Sequence, residues 1–280
     1  MRIELLLGLM VEAMVILLAA KVARDQMLKR RGYLVNDLIV RQRSPGAAIS
    51  QAGYLIGILL GFLGAISFAA QAASFPSTVA HVALFGLLAI VLQLVADRIS
   101  DSLIFRGLAV GAADDTNVSH AVAKAAVSIA TGLVLRGSMA DPSAGLLACT
   151  SWFVVGQILM VLAVLFYCRL TPYDDLAEIK RNNLAASFPI VGILLALGFV
   201  IEAAVASKGT DGFGPTVLHV GKFLGVSLVL VYAFRVVASR VLLPNVKLPA
   251  AIVEEHSVAA GLQEGVSFVL VSLLVTFFLS

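Results

Sequence analysis

The sequence predicts an all-α, polytopic integral membrane protein with about eight transmembrane helices. Of its 280 residues, 60% are apolar and only 13% are charged, whereas an ordinary soluble domain is about 45–50% apolar and about 25% charged. Apolar stretches recur along the whole chain, and the sequence repeats itself internally. The composition excludes soluble enzymes, secreted disulfide scaffolds and disordered regulators. The net charge of +3 is too small to predict nucleic-acid binding.

Eight segments approach the length of about 20 mostly apolar residues that a spanning helix needs. They are residues 3–20, 47–70, 79–95, 120–136, 146–168, 184–206, 217–234 and 257–279. The first follows a basic residue, as the apolar region of a signal peptide does. However, Glu4 and Glu12 interrupt the region that a signal peptide keeps uncharged. We therefore interpret it as a retained span.

The distribution of basic residues predicts the orientation. Fifteen of the 20 Lys and Arg residues fall in the long loops after spans 1, 3, 5 and 7, and only three lie on the other side. Cytoplasmic loops accumulate Lys and Arg. We therefore expect the long loops to be cytoplasmic and both termini to face outward.

The chain is an internal duplication. Residues 78–82 recur as 216–220, and the pair Asp37 and Arg43 recurs as Asp175 and Arg181, both at an offset of 138 positions. Residues 120–123 recur as 256–259 at an offset of 136. These matches predict two four-helix halves, residues 1–141 and 142–280. A weaker repeat within each half predicts four units, each made of a helix, a cytoplasmic linker and a returning helix. These units would be parallel repeats, related by an axis along the membrane normal.

The openings of the returning helices suggest a family. Residues 182–186, Asn-Asn-Leu-Ala-Ala, lead into a span rich in Gly and Ala, and the segment that starts at Asn117 is its counterpart. This pattern resembles the YjfL-like inner-membrane family, known as domain of unknown function 350. The resemblance implies two four-span family domains in tandem in a bacterial cytoplasmic membrane. It also implies a link to polyamine-related or envelope-stress proteins.

Four charged residues inside predicted spans are candidates for transport, because an unpaired charge in hydrocarbon costs at least about 2.5–3.5 kcal/mol. Glu12 and Glu264 would accept a cation or proton, and Lys124 and Lys222 would be internal counter-charges. The alternative is that these acids only neutralise the two lysines at a helix seam.

All four histidines fall into the repeats, which makes them candidates for sensing or relaying protons. They are His81, His219, His120 and His256. The alternative is that each only binds backbone at a helix end. Neither the histidines nor Cys149 and Cys168 have the spacing of a metal site.

The first linker is basic and partly amphipathic, which predicts contact with anionic lipid at the cytoplasmic face. Its candidate surface residues are Lys29, Arg30, Arg31, Arg41 and Arg43. The alternative is an ordinary loop. Stripes of glycine at Gly53, Gly57 and Gly61, and at Gly221 and Gly225, predict close helix packing.

Two hypotheses for function follow. The first is a channel or transporter for a small cation, proton or polyamine. The second is a scaffold that docks a peripheral cytoplasmic protein on its basic linkers. The sequence contains no catalytic motif, so we expect no enzyme activity, and nothing indicates a cofactor or a metal. A homo-oligomer is compatible with the sequence.

Overall fold

The computed structural model describes residues 3–69, 74–106, 117–140, 145–207, 213–242, 244 and 246–279. These ranges are helical and contain eight long helices and three short ones. They are α1 (Ile3–Lys29), α2 (Val35–Val40), α3 (Pro45–Ala69), α4 (Phe75–Leu103), α5 (Val118–Ser138), α6 (Gly145–Leu170), α7 (Asp175–Lys180), α8 (Leu184–Ala206), α9 (Phe213–Leu242), α10 (Leu248–Val253) and α11 (Val258–Leu279).

The predicted all-α membrane fold is confirmed. Within the described residues, seven helices are long and apolar enough to cross a membrane: α3, α4, α5, α6, α8, α9 and α11. The first helix, α1, is not among them, so the eighth span stays a prediction. We call the end of the bundle that carries α2, α7 and α10 the linker end.

The long helices continue further toward the linker end than the sequence predicted. Helix α4 was expected to stop at Val95 but runs to Leu103, and α9 was expected to stop at Phe234 but runs to Leu242. The residues Asp97 and Asp101 therefore belong to a membrane helix and not to the long loop that was expected after residue 95, which corrects the prediction. The helix continues because both side chains face the bundle, where Asp97 is only 4% exposed.

Four inner helices form a row in the order α3, α5, α8 and α11, and each packs on the next. Small residues make this possible, because they let helix backbones approach closely. An alanine Cβ built on Gly132 would lie 2.3 Å from the carbonyl oxygen of Gly57, and one built on Gly192 would lie 2.3 Å from that of Gly265. The row is therefore held by backbone-to-backbone contact.

The two predicted glycine stripes behave differently. Gly53, Gly57 and Gly61 face α5 or its neighbours at close range, as expected. In α9, however, a Cβ on Gly221 or Gly225 would meet nothing within 4 Å. The prediction that this second stripe packs is therefore wrong, because α9 presents it on its exposed side.

The outer helices flank the row. Helices α1 and α4 pack on α3 around a separate apolar cluster that includes Ile16, Tyr54, Phe62 and Val82. Helix α6 packs on α4, α5 and α8, and α9 packs on α8 and α11. Most of the remaining buried apolar residues, from α3 through α11, form one continuous core.

Three linkers end in the same arrangement of residues, and an inner helix begins directly after it. A short helix leads to a residue with positive φ, at Arg43 (53°), Asn182 (60°) and His256 (49°). The next residue then caps an inner helix, because its side-chain oxygen accepts a backbone N–H of the first turn. Ser44 accepts from Ala47 at 3.1 Å, Asn183 accepts from Ala185 at 3.1 Å, and Ser257 accepts from Ala260 at 3.4 Å.

These caps correct one of the sequence alignments. Helix α5 is capped by Asn117, whose side chain accepts the N–H of His120 at 2.8 Å, and α11 is capped by Ser257. The two caps align at an offset of 140, not 136. His120 therefore lies inside its helix, whereas His256 precedes its helix, and the expected pairing of these histidines is wrong by one helical turn.

Asn183 joins three elements at the linker end. Its side-chain amide donates to the Glu178 carboxylate at 2.8 Å and to the carbonyl of Ile252 at 3.0 Å, besides capping α8. We expect Asn183→Ala to lower the free energy of unfolding by about 2–4 kcal/mol, since it removes a cap and a charge-assisted hydrogen bond.

The matched control is Ser257→Ala, which removes a cap with one long contact and should cost about 0.5–1 kcal/mol. Both variants can be compared by denaturant unfolding of the purified protein in detergent. Equal effects of the two substitutions would contradict the joining role of Asn183.

Candidate functional site

A cluster of polar side chains is buried between α1, α3, α4 and α5 near the linker end. We call it the polar cluster. Its members are Arg24 of α1, Gln51 and Tyr54 of α3, Gln93, Asp97, Ser100 and Asp101 of α4, and Lys124, Ser128 and Thr131 of α5. Asp97 lies six residues before the end of α4, which places it about 9 Å into the bundle at 1.5 Å per residue.

An ion pair lies at the outer edge of the polar cluster. The Lys124 Nζ is 2.9 Å from the Asp101 carboxylate, and both side chains are at most 10% exposed. Arg31 approaches the other oxygen of the same carboxylate at 3.6 Å. Asp101 is therefore bracketed by two cations, one from the first linker and one from inside α5.

Asp97 lies one turn deeper and belongs to a short chain of hydrogen bonds. Its carboxylate accepts from the Ser128 hydroxyl at 3.3 Å, and the Gln93 amide donates to the Ser128 carbonyl at 2.9 Å. Four further buried oxygens have no hydrogen-bond partner among the described residues. They belong to Tyr54 (Oη), Gln93 (Oε1), Ser100 (Oγ) and Thr131 (Oγ1). This concentration of unsatisfied polar atoms is unusual for a structural core.

Arg24 anchors the cluster to the start of α3. Its guanidinium donates to the Ser50 carbonyl at 2.8 Å, to the Ser50 hydroxyl at 2.7 Å and to the Gln51 amide oxygen at 3.1 Å. It also lies 4.7 Å from the centre of the Tyr54 ring, which is a favourable cation–π geometry. In the part of the chain that the structure describes, its hydrogen-bond partners are all neutral.

The ionisable groups of the polar cluster and its edge do not cancel, and apolar side chains close the cluster on one side. The cluster contains two acids, Asp97 and Asp101, and two cations, Arg24 and Lys124. Arg31 adds a third cation at its edge, so these groups sum to one positive charge when all are ionised. Beyond Gln93 and Thr131, toward the opposite end of the bundle, three bulky apolar residues are at most 2% exposed: Phe62, Phe85 and Leu135. The polar groups therefore reach from the linker end to about half the thickness of the bundle.

The predicted counter-charges of the acids are not where the sequence placed them. Lys124 pairs with Asp101 and not with Glu12 or Glu264, and Lys222 is exposed on α9. The expectation that Lys222 is an internal charge is therefore wrong. Glu12 is half-buried on α1, and its two carboxylate oxygens have no hydrogen-bond partner among the described residues. Glu264 is 4% exposed in α11.

The histidines do not converge. His81 is exposed, and its Nδ1 lies 2.7 Å from the Ser77 carbonyl one turn earlier. His219 and His256 are exposed, while His120 is 1% exposed with its ring 5.0 Å from that of Phe105. Only His120 lies in the same part of the bundle as the polar cluster.

The basic linker residues are mostly accessible. Lys29, Arg30, Arg41 and Arg43 are exposed, as a surface for anionic lipid requires. Arg31 is the exception, because it approaches Asp101.

At the opposite end, Arg136 of α5 and Glu202 of α8 form an ion pair across the two halves.

Sequence reasoning missed the acids of α4 because it placed them in a linker. A signal was present: Gln93, Asp97 and Asp101 recur at intervals of four and therefore share one helix face. The partners on α1, α3 and α5 could not be identified in this way, because their side chains meet only in the folded bundle.

The described side chains of the second half do not repeat the polar cluster. When the caps of the inner helices are aligned, Lys124 corresponds to Glu264, Tyr54 to Ile193 and Ser128 to Phe268. At the sequence offset of 138, Gln93 corresponds to Val231. Among the side chains that the structure describes, one buried ionisable position is thus kept with opposite charge, and these three neutral polar groups are replaced by apolar ones.

The fold and the polar cluster define a polytopic α-helical membrane protein with ionisable groups buried between its spans. The chain belongs to the family described as Domain of Unknown Function (DUF350), whose model matches twice in tandem, at residues 3–139 and 142–279. It is an uncharacterised family of inner membrane proteins, and the predicted family resemblance is confirmed.

Two curated relatives carry the same name. The inner membrane protein YjfL of Escherichia coli strain K12 is 36% identical over 62 residues, which are 22% of this chain and 46% of that protein. YjfL of Escherichia coli O157:H7 has the same identity and coverage. The chain thus spans about half the length of the curated relatives it matches. No solved structure matches the chain.

Proposed function

We propose that this protein is of the transport class and conducts protons, with the Asp97 carboxylate as the group that accepts and releases them. The observation that supports the proposal is a carboxylate only 4% exposed within a membrane-spanning helix, surrounded by unsatisfied hydroxyl and amide oxygens. Ionisable residues inside spans are costly and commonly mark ion or proton pathways.

The charge balance favours a proton over a metal cation or a polyamine. Together with Arg31 at its edge, the cluster already has three cations for two acids, so an additional metal ion or polyamine would enter a region that is not negative. A proton can instead move between groups that exchange hydrogen bonds, and a carboxylic acid can be neutral in one state and charged in the next. The Ser128 hydroxyl, bound to Asp97 at 3.3 Å, is a suitable neighbour for that exchange.

The path would start at the linker end and reach Asp97 past Asp101 and Lys124. It would stop at the apolar barrier of Phe62, Phe85 and Leu135, so conduction requires that this barrier opens. By the distribution of Lys and Arg, the linker end would face the cytoplasm and both termini the outside. Glu264, at the position of Lys124 in the second half, and Glu12 are secondary candidates for proton acceptors.

The proposal is tested with the purified full chain in liposomes that contain a pH-sensitive dye and carry a potassium diffusion potential. We expect the protein to raise the rate of acidification above that of empty liposomes. The variant Asp97→Asn should return the rate to that of empty liposomes, because the amide keeps the shape and the Ser128 contact but cannot release a proton.

The matched control is Asp37→Asn, which changes a carboxylate on the surface helix α2 whose one ion-pair partner within the described ranges is the exposed Arg41 at 3.2 Å. This variant should conduct like the parent. The absence of acidification by the folded parent protein, or full conduction by Asp97→Asn, would overturn the proposal.

A second candidate function is a scaffold for a peripheral protein or an anionic lipid surface. It is supported by the exposed apolar residues Leu34 (54%) and Val40 (72%) on or beside α2, close in sequence to exposed basic residues of the first linker. The same flux experiment separates the two functions, since a scaffold requires no proton conduction.

A further inference from the structure

The second half contains an apolar crevice between α6 and α9. Its volume is about 320 Å³, at the lower end of the range of about 300–1,000 Å³ for ligand pockets. The side chains that define it are Phe166 and Tyr167 of α6, Ile193 of α8, Val229 and Tyr232 of α9, and Phe268 of α11. All four helices are long and apolar enough to cross a membrane.

The crevice has a buried floor and an exposed rim. Tyr167, Ile193 and Phe268 are at most 5% exposed, and the rings of Tyr167 and Phe268 meet edge to face at 5.6 Å. Phe166 (62%) and Val229 (68%) form the rim. The opening therefore faces sideways, into the hydrocarbon of the bilayer, and not toward water.

The crevice occupies the place that corresponds to the polar cluster of the first half. Its floor residues Ile193 and Phe268 are the counterparts of Tyr54 and Ser128, and its wall residue Val231 is the counterpart of Gln93. In the first half, α1 and α4 pack against each other beside this place, and Tyr54 is fully buried there. In the second half, α6 turns toward α4, α5 and α8, and an apolar cleft lies between α6 and α9.

Two cations lie on the same helices, one beside the crevice and one nearer the linker end. Arg169 is in the last turn of α6, next to the lining residue Leu170, and Arg240 is in the last turn of α9. Both are exposed. Arg240 lies seven residues beyond the lining residue Ala233, about 10 Å along the helix. An apolar chain in the crevice would thus continue toward positive charge at the level of lipid headgroups.

We propose that the crevice binds one acyl chain of an anionic phospholipid, whose phosphate lies against Arg169 and Arg240. The apolar lining matches the chain, the sideways opening gives it access from the bilayer, and the two arginines complement the phosphate. The two halves then differ at this place: the first half contains the polar cluster, and the second half binds an acyl chain. This inference does not depend on proton conduction.

The test is native mass spectrometry of the purified full chain, delipidated and then titrated with palmitoyl-oleoyl phosphatidylglycerol in detergent. We expect one molecule to remain bound at collision energies that strip the others. Ala163→Phe, which fills the crevice from α6, should lower retention of that molecule about tenfold, the change expected when about two methylene groups lose their burial. The control Leu147→Phe, on the exposed face of the same helix (82%), should leave retention unchanged.

A second measurement keeps the proposal testable if Ala163→Phe does not fold. The double variant Arg169→Gln and Arg240→Gln leaves the crevice intact and should abolish the preference for phosphatidylglycerol over phosphatidylethanolamine. Equal retention of lipid by Ala163→Phe and Leu147→Phe would overturn the crevice as the site. An unchanged headgroup preference in the arginine variant would overturn the assignment of the phosphate.

Discussion

Replacing Gly132 with alanine is expected to destabilise the protein by about 3 kcal/mol or more. The new Cβ would lie 2.3 Å from the carbonyl oxygen and 2.6 Å from the Cα of Gly57. Both obstructing atoms are backbone, so no side-chain rotation can relieve the clash, and α3 and α5 must separate. Overpacking in a dense interior costs about 1–3 kcal/mol even where side chains can adjust. The measurement is denaturant unfolding in detergent micelles.

The control is an alanine at Gly221, where a Cβ would meet nothing within 4 Å. That substitution should stabilise the protein slightly, by up to about 1 kcal/mol, because alanine is the better helix former. The two glycine substitutions should therefore have opposite signs. If Gly132→Ala unfolds at the denaturant concentration of the parent, the backbone contact between α3 and α5 is not present in the folded protein.

Lys124→Met is expected to cost about 3–5 kcal/mol, the range found when one partner of a buried ion pair is removed. The substitution leaves the Asp101 carboxylate, 7% exposed, with Arg31 at 3.6 Å as its one remaining cation among the described residues. Removing both charges in Lys124→Met with Asp101→Leu should recover most of the loss, because the one charge then left without its partner, Arg31, is 24% exposed and not deeply buried. Unfolding of the two single variants and the double variant gives the coupling energy between the residues.

The exposed pair of Arg41 and Asp37 serves as the comparison for this cycle. Their side chains are 80% and 40% exposed, and surface pairs contribute at most about 1 kcal/mol. A coupling energy for Lys124 and Asp101 as small as that of the surface pair would mean that water reaches the buried site. The polar cluster would then be a wet cavity and not a desolvated one.

The sequence was sufficient to predict the class of fold, because composition and span length are properties of the chain alone. The row of inner helices could be anticipated only in part. The glycines of α3 indicated close packing, but Gly221 and Gly225 carry the same spacing and pack on nothing. Spacing shows which residues share a face; it does not show whether another helix covers that face.

The polar cluster shows the same limit for charged residues. Lys124 was correctly marked as unusual, since a lysine within an apolar run needs a partner. Its partner Asp101 was assigned to a loop, because the third apolar segment was expected to end at residue 95. Which acid pairs with Lys124 depends on the register between α4 and α5, and the side chains themselves help to set that register. The sequence match pairs His120 with His256 at an offset of 136, whereas the helix caps align at an offset of 140. The sequence alone does not reveal this error, because a shift by four residues leaves a residue on nearly the same face of its helix.

The backbone contacts of the row limit how this protein can change shape. Where Gly57 meets Gly132, and Gly192 meets Gly265, the helices have no layer of side chains that could slide or repack. Shear between packed elements depends on such a layer. The row of α3, α5, α8 and α11 should therefore move as a rigid slab, and conformational change should be confined to α1, α4, α6 and α9. Opening of the barrier at Phe85 would then be a displacement of α4 along a fixed surface, not a rocking of one half against the other.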